Sequence, residues 1–394
     1  MSNRPSIEPL EPRTLLSAAR PAGNTGNGFF VNGNQVFDAN GMPFVVRGIN
    51  MNQWWGSASN NLSSLDQIKK TKANAVRLVF NYGDQFSGSI TPASRKTIVE
   101  RALADGLVPI VEDHDATGGM DATSLTAVVD NWLQPANVAW LKQYERFVVL
   151  NIANEWGPNS SVWRDTYISQ IARIRAAGIN CMIMIDAGGW GQDIRTIKNY
   201  GASVESSDAQ HNVLFSIHPY SDWRTEDRAG EVGANGNPPF DVYTQLNTTK
   251  NTLSLPLVVG EFTSNAVSGI VYNTRRVMEI CAQLGMGFLG WAWNNNNPSQ
   301  LDMVPGTNWQ YNSDADLTAW GNLIVNDSAY GLKASAVQAS VFRTPIAGDA
   351  NMNGVVDSAD FTMLALSFNK SGGQTWATGD FSDDRIVNAL DFST

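Results

Sequence analysis

"FVVLNIANEWG", Phe147–Gly157, is apolar through Ala153 apart from one amide, and then sets an amide, a carboxylate and an indole side by side at Asn154, Glu155 and Trp156. A short run that is apolar on both faces suits a parallel strand covered on both sides, and a polar cluster at its C-terminal end places chemistry there. Seven further runs behave alike: Phe44–Ile49, Ala75–Phe80, Val108–Val111, Cys181–Ile185, Val213–Ile217, Leu257–Val259 and Phe288–Trp291. Helical patterns fall between them, for example Leu62–Lys72, Leu125–Trp140 and Val162–Ala177. Eight such units over roughly 300 residues predict an α/β fold, a (β/α)8 TIM barrel. A doubly wound open sheet is the rival, but no GxGxxG follows the first strand. A short hairpin through Asn32-Gly33 precedes the barrel.

In such a barrel the C-terminal strand ends build the active site. Here they supply Asn50, Arg77, His114, Asn154 with Glu155, Asp186, His218 with Tyr220, Glu261, and Trp291. Two glutamates facing each other across the mouth are what glycoside hydrolysis requires: one protonates the departing oxygen, the other attacks the anomeric carbon or activates water. Arg77 would keep a carboxylate ionised through charge-assisted hydrogen bonds. His114, His218 and Tyr220 add donors for sugar hydroxyls or for orienting the glutamates, and Trp291 is placed to stack under a sugar. For Trp54, Trp55, Trp156, Trp190 and Trp223, ligand contact and packing stand as equal readings.

Composition excludes other classes. The formal net charge of -10 and a sequence pI of about 4.8 leave no basic stripe for nucleic acid or anionic lipid. No apolar run is long enough to span a bilayer. Cys181 and Cys281 lack CxxC partners and read as buried thiols, and the three histidines have no zinc-ligand spacing, so no catalytic cofactor is expected. Thirteen tryptophans hint at carbohydrate, because indole faces pack on sugar C–H faces, although core packing accounts for most of them equally well.

"NIANEWG", "EDHDATGG" (Glu112–Gly119), "DAGGWGQ" (Asp186–Gln192), "SIHPY" (Ser216–Tyr220) and "VVGEF" (Val258–Phe262) together resemble glycoside hydrolase family 5, above all its bacterial β-mannanases. The likeness covers about Gly28 to Asn326. It implies a retaining double displacement with Glu155 as acid/base, Asn154 on the sugar 2-hydroxyl, and Glu261 as nucleophile supported by Arg77 and Tyr220. It implies further that His114, His218 and Trp291 line the cleavage subsite. Expected substrates are β-mannan or a related plant cell-wall polysaccharide, with Trp190 and Trp55 as further sugar contacts. The loops "NMNQWWG" (Asn50–Gly56), "SDWRTEDRAGEVGANGNPPF" (Ser221–Phe240) and "WNNNN" (Trp293–Asn297) depart from the family pattern, which keeps an endo-β-1,4-glucanase or a mixed hemicellulase as the alternative. A non-catalytic polysaccharide-binding barrel is the other class; it would typically have lost one glutamate, and both are here.

The chain divides into an N-terminal segment (1–26), the barrel (27–327), a linker (328–346) and a repeat (347–394). "LEPRTLLSAA" (Leu10–Ala19) resembles the N-terminal segment of certain exported bacterial proteins, so an extracellular, monomeric enzyme is expected. "GDANMNGVVDSADF" (Gly348–Phe361) and "GDFSDDRIVNALDF" (Gly379–Phe392) repeat one pattern. Asp349, Asn351, Asn353, Asp357 and Asp360 alternate as oxygen donors in the first copy, and Asp380, Ser382, Asp384, Asn388 and Asp391 in the second, as in calcium loops. The pair resembles a type I dockerin, a small α-helical EF-hand-like module, implying Ca2+ and a cohesin-type scaffold. Arg385 stands where the loop glycine belongs, and the sequence ends before a second exit helix.

Overall fold

The computed structural model describes residues 18–52, 58–82, 91–225, 239–264, 273–294, 299–305 and 310–392. Trp54 and Trp55 lie outside them, as does most of the loop 221–240.

Eight parallel strands form a closed barrel: β1 (Arg47–Asn52), β2 (Ala75–Phe80), β3 (Val108–Asp113), β4 (Val149–Asn151), β5 (Met182–Asp186), β6 (Val213–Ile217), β7 (Leu257–Val259) and β8 (Gly287–Gly290). They pair in chain order, and β8 closes against β1 through Phe288↔Arg47 and Gly290↔Ile49. The TIM barrel read from the apolar runs is therefore present, with β4 shorter than the run that announced it.

The surrounding helices are α1 (Ala58–Lys70), α2 (Pro92–Ala104), α3 (Ala122–Trp132), α4 (Pro135–Gln143), α5 (Ser161–Ala176), α6 (Ile194–Ser207), α7 (Val242–Asn247), α8 (Thr274–Gln283) and α9 (Ala319–Asn326). Several begin on a side-chain cap: Thr91, Asp121, Ser160 and Asp193 each accept a backbone N–H of the first turn. The single helix expected over Leu125–Trp140 is two, because Pro135 has no N–H to give and starts α4 at its first position.

Alternation along the strands sorts two cores. Ala75, Ile110, Val149, Met184, Leu214, Val258 and Leu289 cluster together inside the barrel with Phe29, Phe44 and Val46. Their neighbours Val76, Val111, Leu150, Ile183, Phe215, Val259 and Phe288 join the larger core between strands and helices. That is the period-two geometry of a strand. The hairpin Phe30–Asn32 with Gln35–Phe37 plugs the N-terminal end of the barrel, where Phe29 meets Phe44 edge to face.

Residues 328–346 lie along this floor through α10 (Leu332–Ser335). Ser340 donates to Asp38 Oδ2 at 2.6 Å, and Asn74 Nδ2 reaches Val337 O at 2.9 Å. The C-terminal repeat adds α11 (Ser358–Ser367) and a small core of Ala350, Leu364, Phe381 and Val387. It is fixed to the barrel's underside: Arg20 N donates to Gly373 O, Ala377 N to Asn40 O, and Arg385 Nη2 to Thr25 O and Gly26 O.

Candidate active site

Above Ile110, Val149, Met184 and Leu214, the inward positions turn polar: Asn50, Arg77, Glu112, Asn151, Asp186 and Ser216, all fully buried. Burying such charges is costly unless they are paired. Arg77 is the hub. Its Nη1 donates to Glu261 Oε1 at 2.7 Å and to Asn50 Oδ1 at 3.1 Å, Nε to Asn151 Oδ1 at 2.8 Å, and Nη2 to Asn154 Oδ1 at 2.8 Å and Asp186 Oδ2 at 3.4 Å. All five guanidinium hydrogens are thereby engaged in a fixed fork.

Glu261 follows β7. Arg77 holds one of its oxygens and Tyr220 Oη donates to the other at 2.8 Å. Donors on both oxygens, one of them a cation, suit an ionised carboxylate.

Glu155 follows β4 with a left-handed backbone, φ 46°, in a region that a side chain with a Cβ seldom enters. Asp186 Oδ2 takes its backbone N–H at 3.0 Å, and its carbonyl accepts from Gly118 N. Glu155 Oε1 lies 2.9 Å from His218 Nδ1. Burial, together with the nearby charges of Glu261 and Asp186, raises its pKa well above the ordinary carboxyl value. Burial pushes His218 down to about 3, so the ring is neutral. Its Nε2 faces Ser216 Oγ at 3.3 Å and Asp186 Oδ2 at 3.6 Å; with its proton there, Nδ1 is left to accept the Glu155 carboxyl proton. Two glycines make room for this ring, since a Cβ on Gly191 or Gly260 would come within 3 Å of it.

Glu155, His218 and Glu261 form a trio of acidic and imidazole groups whose ligand atoms all lie within 4.8 Å of one another. The carboxyl separation is on the scale at which the second carboxylate attacks carbon directly, without room for an intervening water.

His114 stacks against Trp291, centroids 5.9 Å apart, and its Nε2 lies 3.2 Å from Asn154 Nδ2. Trp190 is the exposed tryptophan among the described residues, 53% accessible. Its indole lies against Gly118, where a Cβ would come within 2.5 Å of the ring. Trp156 and Trp223 are buried and bonded through their indole N–H groups to Asp121 O and Gln192 O, which is packing.

The structure thus brings Arg77, His114, Asn154, Glu155, His218, Tyr220, Glu261 and Trp291 into one mouth, with Trp190 on its rim and Trp55 outside the described residues. The sequence places Asp186 at a strand end without a role and does not single out Glu112. Both stand in motifs that drew attention, and counting alternate residues up from Ile110 and Met184 marks them as inward-facing.

The repeat reproduces one hydrogen-bond pattern twice. Asp349 accepts the N–H groups of Asn353 and Gly354, and Asp380 those of Asp384 and Arg385. Asp360 accepts those of Asn351 and Asp357, and Asp391 those of Ser382 and Asn388. Arg385 adopts φ 67° where Gly354 has φ 91°. The donors are all oxygens, the set a hard cation takes. Among the described residues one α-helix, α11, accompanies the two loops.

Residues 37–297 match the family described as Cellulase (glycosyl hydrolase family 5). The chain is 35% identical over 338 residues to a mannan endo-1,4-beta-mannosidase of Cellvibrio japonicus, covering 84% of this chain and 73% of that one. It is 34% identical over 317 residues to a mannan endo-1,4-beta-mannosidase of Salipaludibacillus agaradhaerens, covering 80% and 96%. The crystal structure of a beta-mannanase from Streptomyces thermolilacinus with mannohexaose superposes with a TM-score of 0.69 at 29% identity, over 81% of this chain and all of that one. With a closed eightfold barrel, a paired-glutamate mouth and relatives matched over most of their length, the chain belongs to glycosyl hydrolase family 5.

Proposed function

We propose that this enzyme is a retaining endo-β-1,4-mannanase. The observation that carries the reading is the pairing of Glu261, held by Arg77 and Tyr220, with a Glu155 whose proton is shared with His218, a few ångströms apart at the mouth of a barrel whose relatives are mannanases. Glu261 attacks the anomeric carbon while Glu155 gives its proton to the departing glycosidic oxygen. Glu155, now ionised, then takes a proton from the incoming water, which releases the sugar from Glu261 with net retention. Asn154 meets the 2-hydroxyl, His114 and Trp291 line the sugar, and Trp190 extends the platform along the chain.

Release of reducing ends from unbranched β-mannan, carboxymethyl-cellulose and xylan in parallel tests the substrate. Mannan hydrolysis alone supports the reading. Hydrolysis of cellulose instead assigns the altered loops to glucan, and no release from any of the three revives a binding barrel.

A polymer of this kind cannot enter a cell, which supports an extracellular site of action. In the described residues no helix is long and apolar enough to cross a membrane. For the C-terminal repeat we infer a dockerin-like unit. Asp349, Asn351, Asn353, Asp357 and Asp360 would hold Ca2+ in the first loop, and Asp380, Ser382, Asp384, Asn388 and Asp391 in the second, with a cohesin-type scaffold as partner. The duplicated wrapping of backbone N–H groups around the loop aspartates supports it. Titrating the calcium-stripped protein with CaCl2 by calorimetry tests it: one or two sites are expected, and heat indistinguishable from dilution would discard calcium.

A further inference from the structure

Glu112 is fully buried and touches no solvent. Its Oε1 lies 2.9 Å from His114 Nδ1 and 4.0 Å from Arg77 Nη2, and its Oε2 has no hydrogen-bond partner. Donor chemistry fixes the orientation of the groups beyond it. Arg77 Nη2 can only donate, so the Asn154 atom facing it at 2.8 Å is the carbonyl oxygen. The Asn154 amide nitrogen is then the atom facing His114 Nε2 at 3.2 Å and Thr117 Oγ1 at 3.1 Å. Thr117 gives its own hydrogen to His114 O at 2.6 Å, so it accepts from the amide. His114 Nε2 must likewise accept, and its ring hydrogen therefore sits on Nδ1, pointing at Glu112.

We propose that Glu112 is a positioning residue: its Oε1 accepts from His114 Nδ1, fixes the ring in that tautomer, and through Nε2 locks the Asn154 amide beside the acid/base glutamate. The inference rests on the functional reading above, in which Asn154 meets the sugar. Burial keeps His114 neutral, its pKa lowered to about 4, so the ring does carry a single hydrogen whose position matters. Glu112 is itself raised by burial to about 8, and a proton on the partnerless Oε2 leaves Oε1 an acceptor. The required property is an acceptor oxygen at this point, with or without a charge. Without it, a hydrogen on Nε2 would oppose the Asn154 amide hydrogens, and the amide could relieve the clash only by turning its nitrogen toward Arg77.

The chain has three histidines, which makes the test direct. In protein labelled with [15N]histidine, each ring nitrogen reports whether it bears hydrogen, and a His211→Asn variant separates the exposed ring from the two buried ones. The expected result is His114 as the Nδ1–H form in wild type and in Glu112→Gln, which keeps an acceptor oxygen, with kcat on β-mannan within about threefold. In Glu112→Leu the hydrogen moves to Nε2 and kcat falls about 10- to 100-fold with KM little changed, the scale of a misplaced contact that tightens in the transition state. An Nε2–H ring at His114 in wild type overturns the proposal whether or not the leucine variant folds. So does a leucine variant that keeps both tautomer and kcat, or a hundredfold loss in Glu112→Gln with the tautomer unchanged. A wild-type protein with the Nδ1–H ring that hydrolyses no mannan would sink the functional reading and leave this one standing.

Discussion

The lower and upper halves of the barrel interior are built on the same alternate residues of the same strands, and they are made of opposite materials. Below, Ile110, Val149, Met184 and Leu214 pack as one apolar cluster over the hairpin; two residues higher on each strand stand Glu112, Asn151, Asp186 and Ser216. The lower half gains from burial at about 25 cal/mol per Å2 of apolar surface, and the upper half gives up stability to hold like charges together. One barrel thus separates folding from chemistry by a single step along each strand.

That separation can be broken from the top. Glu261→Ala is expected to cut kcat on β-mannan about 10^4-fold or more with the thermal transition retained; substantial turnover by a pure, folded variant would end the nucleophile assignment. Glu155→Gln should lower kcat about 10^2- to 10^4-fold while raising Tm, because it removes one of the crowded carboxyls. A fall in Tm would show that its proton-sharing with His218 matters more to the fold than the repulsion. In wild type the raised pKa of Glu155 should carry kcat/KM well above the ordinary carboxyl range before the alkaline limb appears, since the first step needs the protonated acid.

From below, Ile110→Ala should cost about 2–5 kcal/mol in urea unfolding with kcat changed less than about twofold. A large kcat loss there would mean that the two halves are mechanically one. The upper half should also leave a signature in stability against pH. Glu112 in the folded chain holds its proton to about pH 8, whereas the unfolded chain releases it near the ordinary value of 4.5. The folded state then binds more protons between these limits, so stability is greatest below them and declines as pH rises toward 8. Urea midpoints at pH 5 and 8 read it, and Glu112→Gln should flatten the decline. The smallest effect belongs to the rim: Trp190→Ala should weaken KM on polymer about three- to tenfold, and less on a short aryl glycoside.

Much of this was legible in the sequence, because a parallel strand covered on both faces writes its whole length in apolar residues and its end in polar ones. The eight runs and the residues following them contained Arg77, His114, Glu155, His218 and Glu261. What escaped obeys different rules. Pro135 splits a helix whose apolar pattern runs on unbroken. Asp186 acts through the backbone N–H of Glu155, a partner visible only with the register that sets β4 beside β5, whereas Glu112 meets the ring of His114, two residues further along its own strand end. Asp113, next to Glu112, points outward to Arg95 on α2, so neighbouring carboxylates serve different layers and only the alternation tells them apart.

The C-terminal repeat is fastened to the end of the barrel away from the glutamates, through Asn40, Thr25, Gly26 and Arg20. Trp376 and Phe381 pack in its core, while Phe361, Leu366, Phe368 and Phe392 are exposed. Whatever grips that face holds the enzyme by its heel. A load placed there would fall on the floor of the barrel and leave the mouth free.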